Sequence, residues 1–141
     1  MGKGDLRTIR GQIVVPEVTR IDLFDGKFTT GYRLKDFKIT PQDISSSFEV
    51  ACRITTEDIG HTTNYDWSDN REIGWAAWNV PINSRFGMFS LVDEDSVIIE
   101  DIFLDPLGTS ELVVNYWIEL ERVTFSEAMG AMNMVRNRSQ A

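Results

Sequence analysis

The residue types that carry most catalytic chemistry are scarce in this chain. The sequence contains one histidine, His61, and one cysteine, Cys52. A single histidine excludes metal sites built on histidine pairs, and any Ser-His-Asp triad would depend on His61. Two threonines follow His61 in a polar stretch, without a nucleophile-elbow pattern. We therefore expect a solvated loop histidine.

Carboxylates are the remaining candidates for chemistry. Glu119 and Glu121 are two residues apart and share one strand face, as a glycosidase acid/base pair could, although a solvent-facing strand rim is the simpler interpretation. The run 93–105 holds six acids and no basic residue. It lacks the central glycine and distal glutamate of a calcium loop, so we expect a solvated hairpin tip or a docking surface for a basic segment. The sequence predicts no catalytic, cofactor-binding or metal-binding residue, and no enzyme.

The composition predicts one packed domain that avoids anionic partners. Apolar residues make up 42% of the chain and aromatics 11%, and the formal net charge is −8. That charge opposes binding to nucleic acid and to anionic membranes, and no stretch approaches the ~18 apolar residues of a membrane span. The first residues lack the apolar core of a cleavable signal, so we expect synthesis in a cytosol.

Residues 1–12 differ in charge from the rest of the chain. They hold Lys3, Arg7 and Arg10 against the single acid Asp5, and they also include three glycines. This predicts a basic, flexible N-terminal arm at 1–12, followed by one domain at 13–141. A frayed terminus is one interpretation, and an arm that lies across an acidic neighbouring subunit is the other.

Alternating apolar residues predict about eight strands. Asp25-Gly26 predicts a tight hairpin turn, and a change of phase predicts a bulge near Lys35-Asp36. In 48–54 the alternation predicts a half-buried strand, with Cys52 as a small buried hydrophobe. Few helical segments separate the strands, which excludes a parallel βαβ fold. We expect a mainly β, antiparallel, jelly-roll-like β-sandwich, with a closed barrel as the alternative.

The last segment has a helical period instead. Its apolar residues form one stripe, made of Phe125, Ala128, Met129, Met132 and Val135. The pattern predicts a C-terminal helix over about 125–137. A helix of about three turns is marginal alone, so it must dock on its own sheet or on another subunit.

The tryptophans are the other candidates for contact surfaces. Trp67 lies in the polar connection 56–70, a length that is often functional. Trp75 and Trp78 lie on opposite faces of one predicted strand, and Trp117 lies on the longest strand. Core or interface positions are typical of such residues, and a carbohydrate platform is the alternative. The predicted interface residues are Lys3, Arg7, Arg10, Trp67, Trp75, Trp78, Met129 and Met132.

Two segments of the chain carry a resemblance: one is NREIGWAAWN at 70–79, and the other is VIIEDIFL at 97–104 followed by VNYWIELER at 114–122. They resemble small virion proteins of environmental, especially marine, bacteriophages. With the predicted helix, the resemblance covers roughly 70–138. It implies a decoration, cement or minor capsid subunit that contacts itself and other capsid proteins in a virion assembled in the host cytoplasm. The alternative function is a carbohydrate- or ligand-binding β-sandwich module, such as a host-surface recognition domain.

Overall fold

The computed structural model describes residues 6–23, 26, 30–44, 49–79 and 87–124. In this part the chain is mainly β, as the alternating pattern predicts, and it contains no helix. The described residues thus include no helix of the length and apolarity needed to cross a membrane. The predicted helix at about 125–137, with Met129 and Met132, lies outside the described residues, and so does Lys3.

Across the described ranges, nine strands form two antiparallel sheets. The strands are β1 (Leu6–Val14), β2 (Thr19–Asp22), β3 (Thr30–Pro41), β4 (Val50–Thr55), β5 (Glu72–Asn79), β6 (Gly87–Val92), β7 (Val97–Ile98), β8 (Asp101–Leu107) and β9 (Val113–Thr124). The first sheet has the order β1-β9-β3-β7, and the second has the order β2-β8-β4-β5-β6. Every neighbouring pair is antiparallel.

Both sheets contribute to one apolar core, which gives a sandwich-like arrangement. Leu34 and Ile118 from the first sheet and Ile54 and Leu104 from the second are completely buried in the same cluster. Gly74 on β5 lets the sheets approach closely, because a Cβ atom there would lie 2.8 Å from Cδ2 of Leu34. The bare backbone at this position is therefore part of the packing between the sheets.

The predicted bulge is present on β3. The register with β9 shifts between Leu34 and Asp36, and Leu34 and Phe37 on either side of the shift are both buried. The extra residue returns the apolar side chains to the core face after the change of phase. The sequence prediction is confirmed at this site.

The hairpin predicted at Asp25-Gly26 is wrong. β2 pairs with β8 in the second sheet, whereas β3 pairs with β9 and β7 in the first. Gly26 has a φ of 87°, which suits a turn. A turn dipeptide specifies local chain reversal and not the strand that pairs next, so here the chain crosses between sheets.

The flexible arm predicted at 1–12 is also corrected. β1 begins at Leu6 and pairs with β9 over its whole length, from Leu6 opposite Glu121 to Val14 opposite Val113. Thr8, Arg10 and Gln12 are exposed and alternate with Ile9 and Ile13, which pack on the core. Residues 6–12 therefore belong to the folded domain, and Arg7 and Arg10 are strand residues.

Candidate functional site

The connection 56–71 covers one face of the second sheet and encloses a cluster of charged side chains. On β4, Cys52 and Ile54 face the core, and Arg53 points to the other side. Arg53 lies opposite Asp105 on β8 and opposite Trp75 on β5. We call the side chains of Arg53, Glu72, Asp105 and His61 the ion cluster.

Arg53 is the centre of the ion cluster and uses all three of its nitrogens. Its Nε donates to Oδ2 of Asp105 at 3.0 Å, and its Nη1 donates to Oε2 of Glu72 at 2.7 Å. Its Nη2 donates to the carbonyl oxygen of Gly60 at 2.9 Å. The side chains of Arg53, Asp105 and Glu72 are 3%, 2% and 2% exposed. Each nitrogen of the planar guanidinium thus has a hydrogen-bond partner in a site almost closed to solvent.

The connection supplies the remaining partners of the two carboxylates. The imidazole Nδ1 of His61 lies 2.6 Å from Oδ1 of Asp105, and the backbone N–H of Thr62 donates to Oδ2 at 3.1 Å. Glu72 accepts hydrogen bonds from the backbone N–H of Asp66 and from the indole Nε1 of Trp75. The cluster therefore fastens the connection to the sheet at several points along its length.

His61 lies in the polar connection and is exposed, as predicted, but its side chain, which is 32% exposed, also pairs with the buried carboxylate of Asp105. Arg53 corrects the half-buried description of β4. Both Arg53 and Thr55 are buried on the face away from the core, because the connection covers that face. Arg53 and Asp105 lie 52 residues apart in the sequence, so no local sequence pattern predicts their contact.

An aromatic group lies beside the ion cluster. The rings of Trp67 and Trp75 are 5.5 Å apart and tilted by 51°. Trp75 is buried, whereas Trp67 is 62% exposed. The hydroxyl of Tyr65 is buried without a hydrogen-bond partner among the described residues, and burial raises the pKa of this phenol. The structure thus brings two predicted interface residues together and leaves Trp67 at the surface.

The other predicted interface residues have different positions. Trp78 belongs to the apolar core, so its predicted place at an interface is not supported by exposure. The guanidinium of Arg7 lies 5.9 Å from the ring centre of Tyr32, and its Nη1 donates to the Tyr32 hydroxyl at 3.4 Å. Trp75 and Trp78 do point to opposite sides of β5, and both are buried because β5 is covered on both faces.

The acidic residues that were candidates for chemistry lie at several separate places in the fold. In the run 93–105, Asp105 is buried in the ion cluster, Glu94 pairs with Lys35 and Asp101 pairs with Arg20 at 2.7 Å. Glu119 and Glu121 lie on β9 opposite Asp36 and Arg33 of β3. In the described ranges, no group of three histidine, cysteine or acidic side chains has the arrangement of a metal site.

Cys52 is buried in the core, as predicted. Burial raises the pKa of its thiol, and the negative charge of Asp105 raises it further. A thiol in such surroundings stays protonated and is a poor nucleophile. The cysteine therefore adds no reactive group to the ion cluster.

β6 presents apolar side chains at the end of the second sheet. Met88, Phe89 and Leu91 are 53%, 47% and 40% exposed. Within the described ranges β6 pairs with β5 alone, and Ser90 fastens it to the first sheet by donating a 2.5 Å hydrogen bond to the carbonyl oxygen of Phe37. We call Met88, Phe89 and Leu91 the β6 patch.

The outer face of the first sheet carries a groove of about 440 Å³. Two rows of side chains cross three strands here. One row is Arg10, Trp117 and Lys38, and the other is Gln12, Asn115 and Thr40. The Arg10 guanidinium lies 5.7 Å from the centre of the Trp117 ring. We call these six residues the outer groove.

No protein-family model matches this chain, and neither does any curated protein. Its function has to be inferred from the strand arrangement and surfaces described above.

Proposed function

We propose that this chain is a non-enzymatic structural subunit of a virus particle, built as a jelly roll and acting through protein–protein contacts. The observation that carries the proposal is the nesting of its strand pairs. β1 pairs with β9, β2 with β8, β3 with β7, and β4 with β5. With β6 set aside, the first strand pairs with the last, the second with the second-last, and so on inward.

This nesting is what a jelly roll requires, because that fold wraps eight strands as two interlocked Greek keys over two sheets. Viral capsid proteins and lectins are prominent users of the fold. Since one fold serves many functions, the choice between these uses rests on the surfaces.

Two surface features favour a structural subunit. The β6 patch places three large apolar side chains on the end strand of a sheet, a position that soluble proteins usually protect with charges. Burial of these side chains against a neighbour would stabilise an assembly by roughly 25 cal/mol per Å² of apolar surface removed from water. The charges of the ion cluster, by contrast, are paired with one another and hold the connection 56–71 against the sheet. Such a fixed connection suits a rigid structural subunit.

The mass of the protein in solution tests the proposal, and it is measured by sedimentation over a wide concentration range. We expect reversible association of the full chain, and we expect its loss in the double variant Met88→Lys/Leu91→Lys. Trp67→Lys is the control, because Trp67 is a large apolar side chain that is even more exposed but lies on the connection instead of on β6.

A decoration subunit can assemble solely on its particle, so the same proteins are also mixed with the cognate particles and pelleted. A chain that stays monomeric and fails to pellet with particles contradicts the proposal. Equal association of the β6 double variant and the full chain contradicts the role of the β6 patch.

A further inference from the structure

We propose that the outer groove binds an acidic oligosaccharide, with Trp117 as the stacking residue and Arg10 as the carboxylate-binding residue. This inference goes beyond the structural role and does not depend on it. The groove lies on the first sheet, whereas the β6 patch and the ion cluster belong to the second.

The two rows of the outer groove have complementary chemistry. Asn115 accepts a hydrogen bond from Nε2 of Gln12 at 2.9 Å, and its Nδ2 donates to Oγ1 of Thr40 at 3.3 Å. The second row is thus a chain of amides and a hydroxyl held in one orientation. The first row has the Trp117 indole at its centre, between two cations. Residues two apart on a strand are about 7 Å apart, so the rows are separated by roughly the width of a sugar ring.

A saccharide fits both rows at once. Its C–H face is apolar enough to pack against an indole, which is amphipathic and rigid, and its hydroxyls match the donors and acceptors of side-chain amides. The volume of about 440 Å³ falls in the range of small-molecule sites, which is ~300–1,000 Å³.

The charge of the groove selects an acidic sugar. Its lining includes Arg10 and Lys38 but no carboxylate, although the chain as a whole has a net charge of −8. Lys38 is engaged by Asp36, since its Nζ lies 2.8 Å from Oδ2 of that residue. Arg10 has no carboxylate partner in the part of the chain that the structure describes, and stacking on Trp117 holds its guanidinium at the groove. An arginine held in this way can bind a carboxylate with two parallel hydrogen bonds.

Backbone geometry keeps the floor of the groove in place. Gly11 on β1 lies opposite Tyr116 on β9. A Cβ atom at Gly11 would lie 2.9 Å from the Tyr116 hydroxyl oxygen. The missing side chain lets the tyrosine ring cross the β1 backbone beneath the two rows.

Calorimetric titration of the full-length protein tests the proposal. The probes are trigalacturonate, a hyaluronan tetrasaccharide and sialyllactose, each beside galactotriose or lactose as a neutral control. We expect binding of at least one acidic probe that is tighter than binding of its neutral control. We expect Arg10→Gln to weaken binding of the acidic probes by about ten- to a hundredfold, because it removes a hydrogen-bonded charge pair. Binding of the neutral probes should stay unchanged.

The aromatic contribution is tested separately. Trp117→Ala should weaken binding of acidic and neutral sugars alike. Trp67→Ala and Arg20→Gln are the controls, because they alter an exposed tryptophan and an exposed arginine elsewhere, and they should leave the binding of both kinds of sugar unchanged. Amide chemical-shift mapping on the unmodified protein locates the site even if a variant fails to fold. No binding across the acidic panel, equal binding by Arg10→Gln, or shifts confined to residues outside β1, β3 and β9 each overturns the proposal.

Discussion

At the scale of single residues, the ion cluster is the feature with the largest energetic consequences. Two buried carboxylates share one guanidinium, and each charge is compensated by hydrogen bonds. An ion pair of this kind contributes little net stability relative to an apolar core, but removal of one partner leaves an unpaired buried charge.

We expect Asp105→Asn to destabilise the protein by about 3–5 kcal/mol, because Arg53 then loses a charged partner in a site that excludes water. The free energy of unfolding is measured by urea denaturation. Asp101→Asn is the matched control, since it removes a carboxylate of the same strand whose arginine partner is exposed, and it should change the unfolding free energy little. Equal effects of the two substitutions would contradict the enclosed geometry.

Cys52 gives a second prediction at this scale. Its thiol is buried, and burial raises its pKa, so the reactive thiolate is suppressed in the folded protein. Maleimide labelling at pH 8 should be slow and should accelerate only with denaturant concentrations that unfold the protein. Rapid labelling without denaturant would show that the thiol is accessible in the native state.

The burial of Cys52 was predictable from sequence, whereas the partner of His61 was not. Cys52 lies in an alternating strand, and alternation is a local signal. The contact between His61 and Asp105 joins residues 44 positions apart. The polarity around His61 reflects hydrogen bonding within the connection as well as solvation, and a single sequence does not separate these two causes.

At the scale of strands, the sequence predicts faces better than partners. The bulge on β3 followed from the change of phase, because the core face must stay continuous across it. The turn at Asp25-Gly26 and the positive charge of 1–12 were misinterpreted for one reason. Both are local signals, whereas the pairing of β2 with β8 and of β1 with β9 depends on residues at the other end of the chain.

The status of β1 leads to a truncation test. A chain lacking residues 1–5 retains all of β1 and should unfold at nearly the same denaturant concentration as the full chain. A chain lacking residues 1–14 removes the partner of β9 along nine positions and should be strongly destabilised or insoluble. Unchanged stability of the longer truncation would restore the flexible-arm interpretation.

Gly74 tests how closely the two sheets approach. Gly74→Ala should cost about 1–3 kcal/mol, because the new methyl group is forced against Leu34 and Ile54 in a filled core. The double variant Gly74→Ala/Leu34→Val should lose less stability than the sum of the two single variants, since the smaller side chain relieves the overlap. If the changes in unfolding free energy of the two single variants simply add up in the double variant, as measured by urea denaturation, the sheets are farther apart at this point.

At the scale of the whole molecule, two antiparallel sheets around one core followed from the alternation and from the scarcity of helical segments. The strand order did not follow, because nested pairing joins the most distant parts of the chain. That order now supports the jelly-roll proposal, and the exposed β6 patch supports assembly with neighbours. The ion cluster complements both, since it holds the longest described connection in a fixed position.

The most direct test of the central claim is to look for the chain in particles. The proposal is tested on virions purified through a density gradient from a virus whose genome carries this sequence, and the chain is quantified by mass spectrometry relative to the major capsid protein. We expect the chain to sediment with intact particles in a fixed, repeated copy number and to resist washing with high salt. Recovery of the chain solely from the soluble fraction of infected cells, with none in the particles, would contradict it.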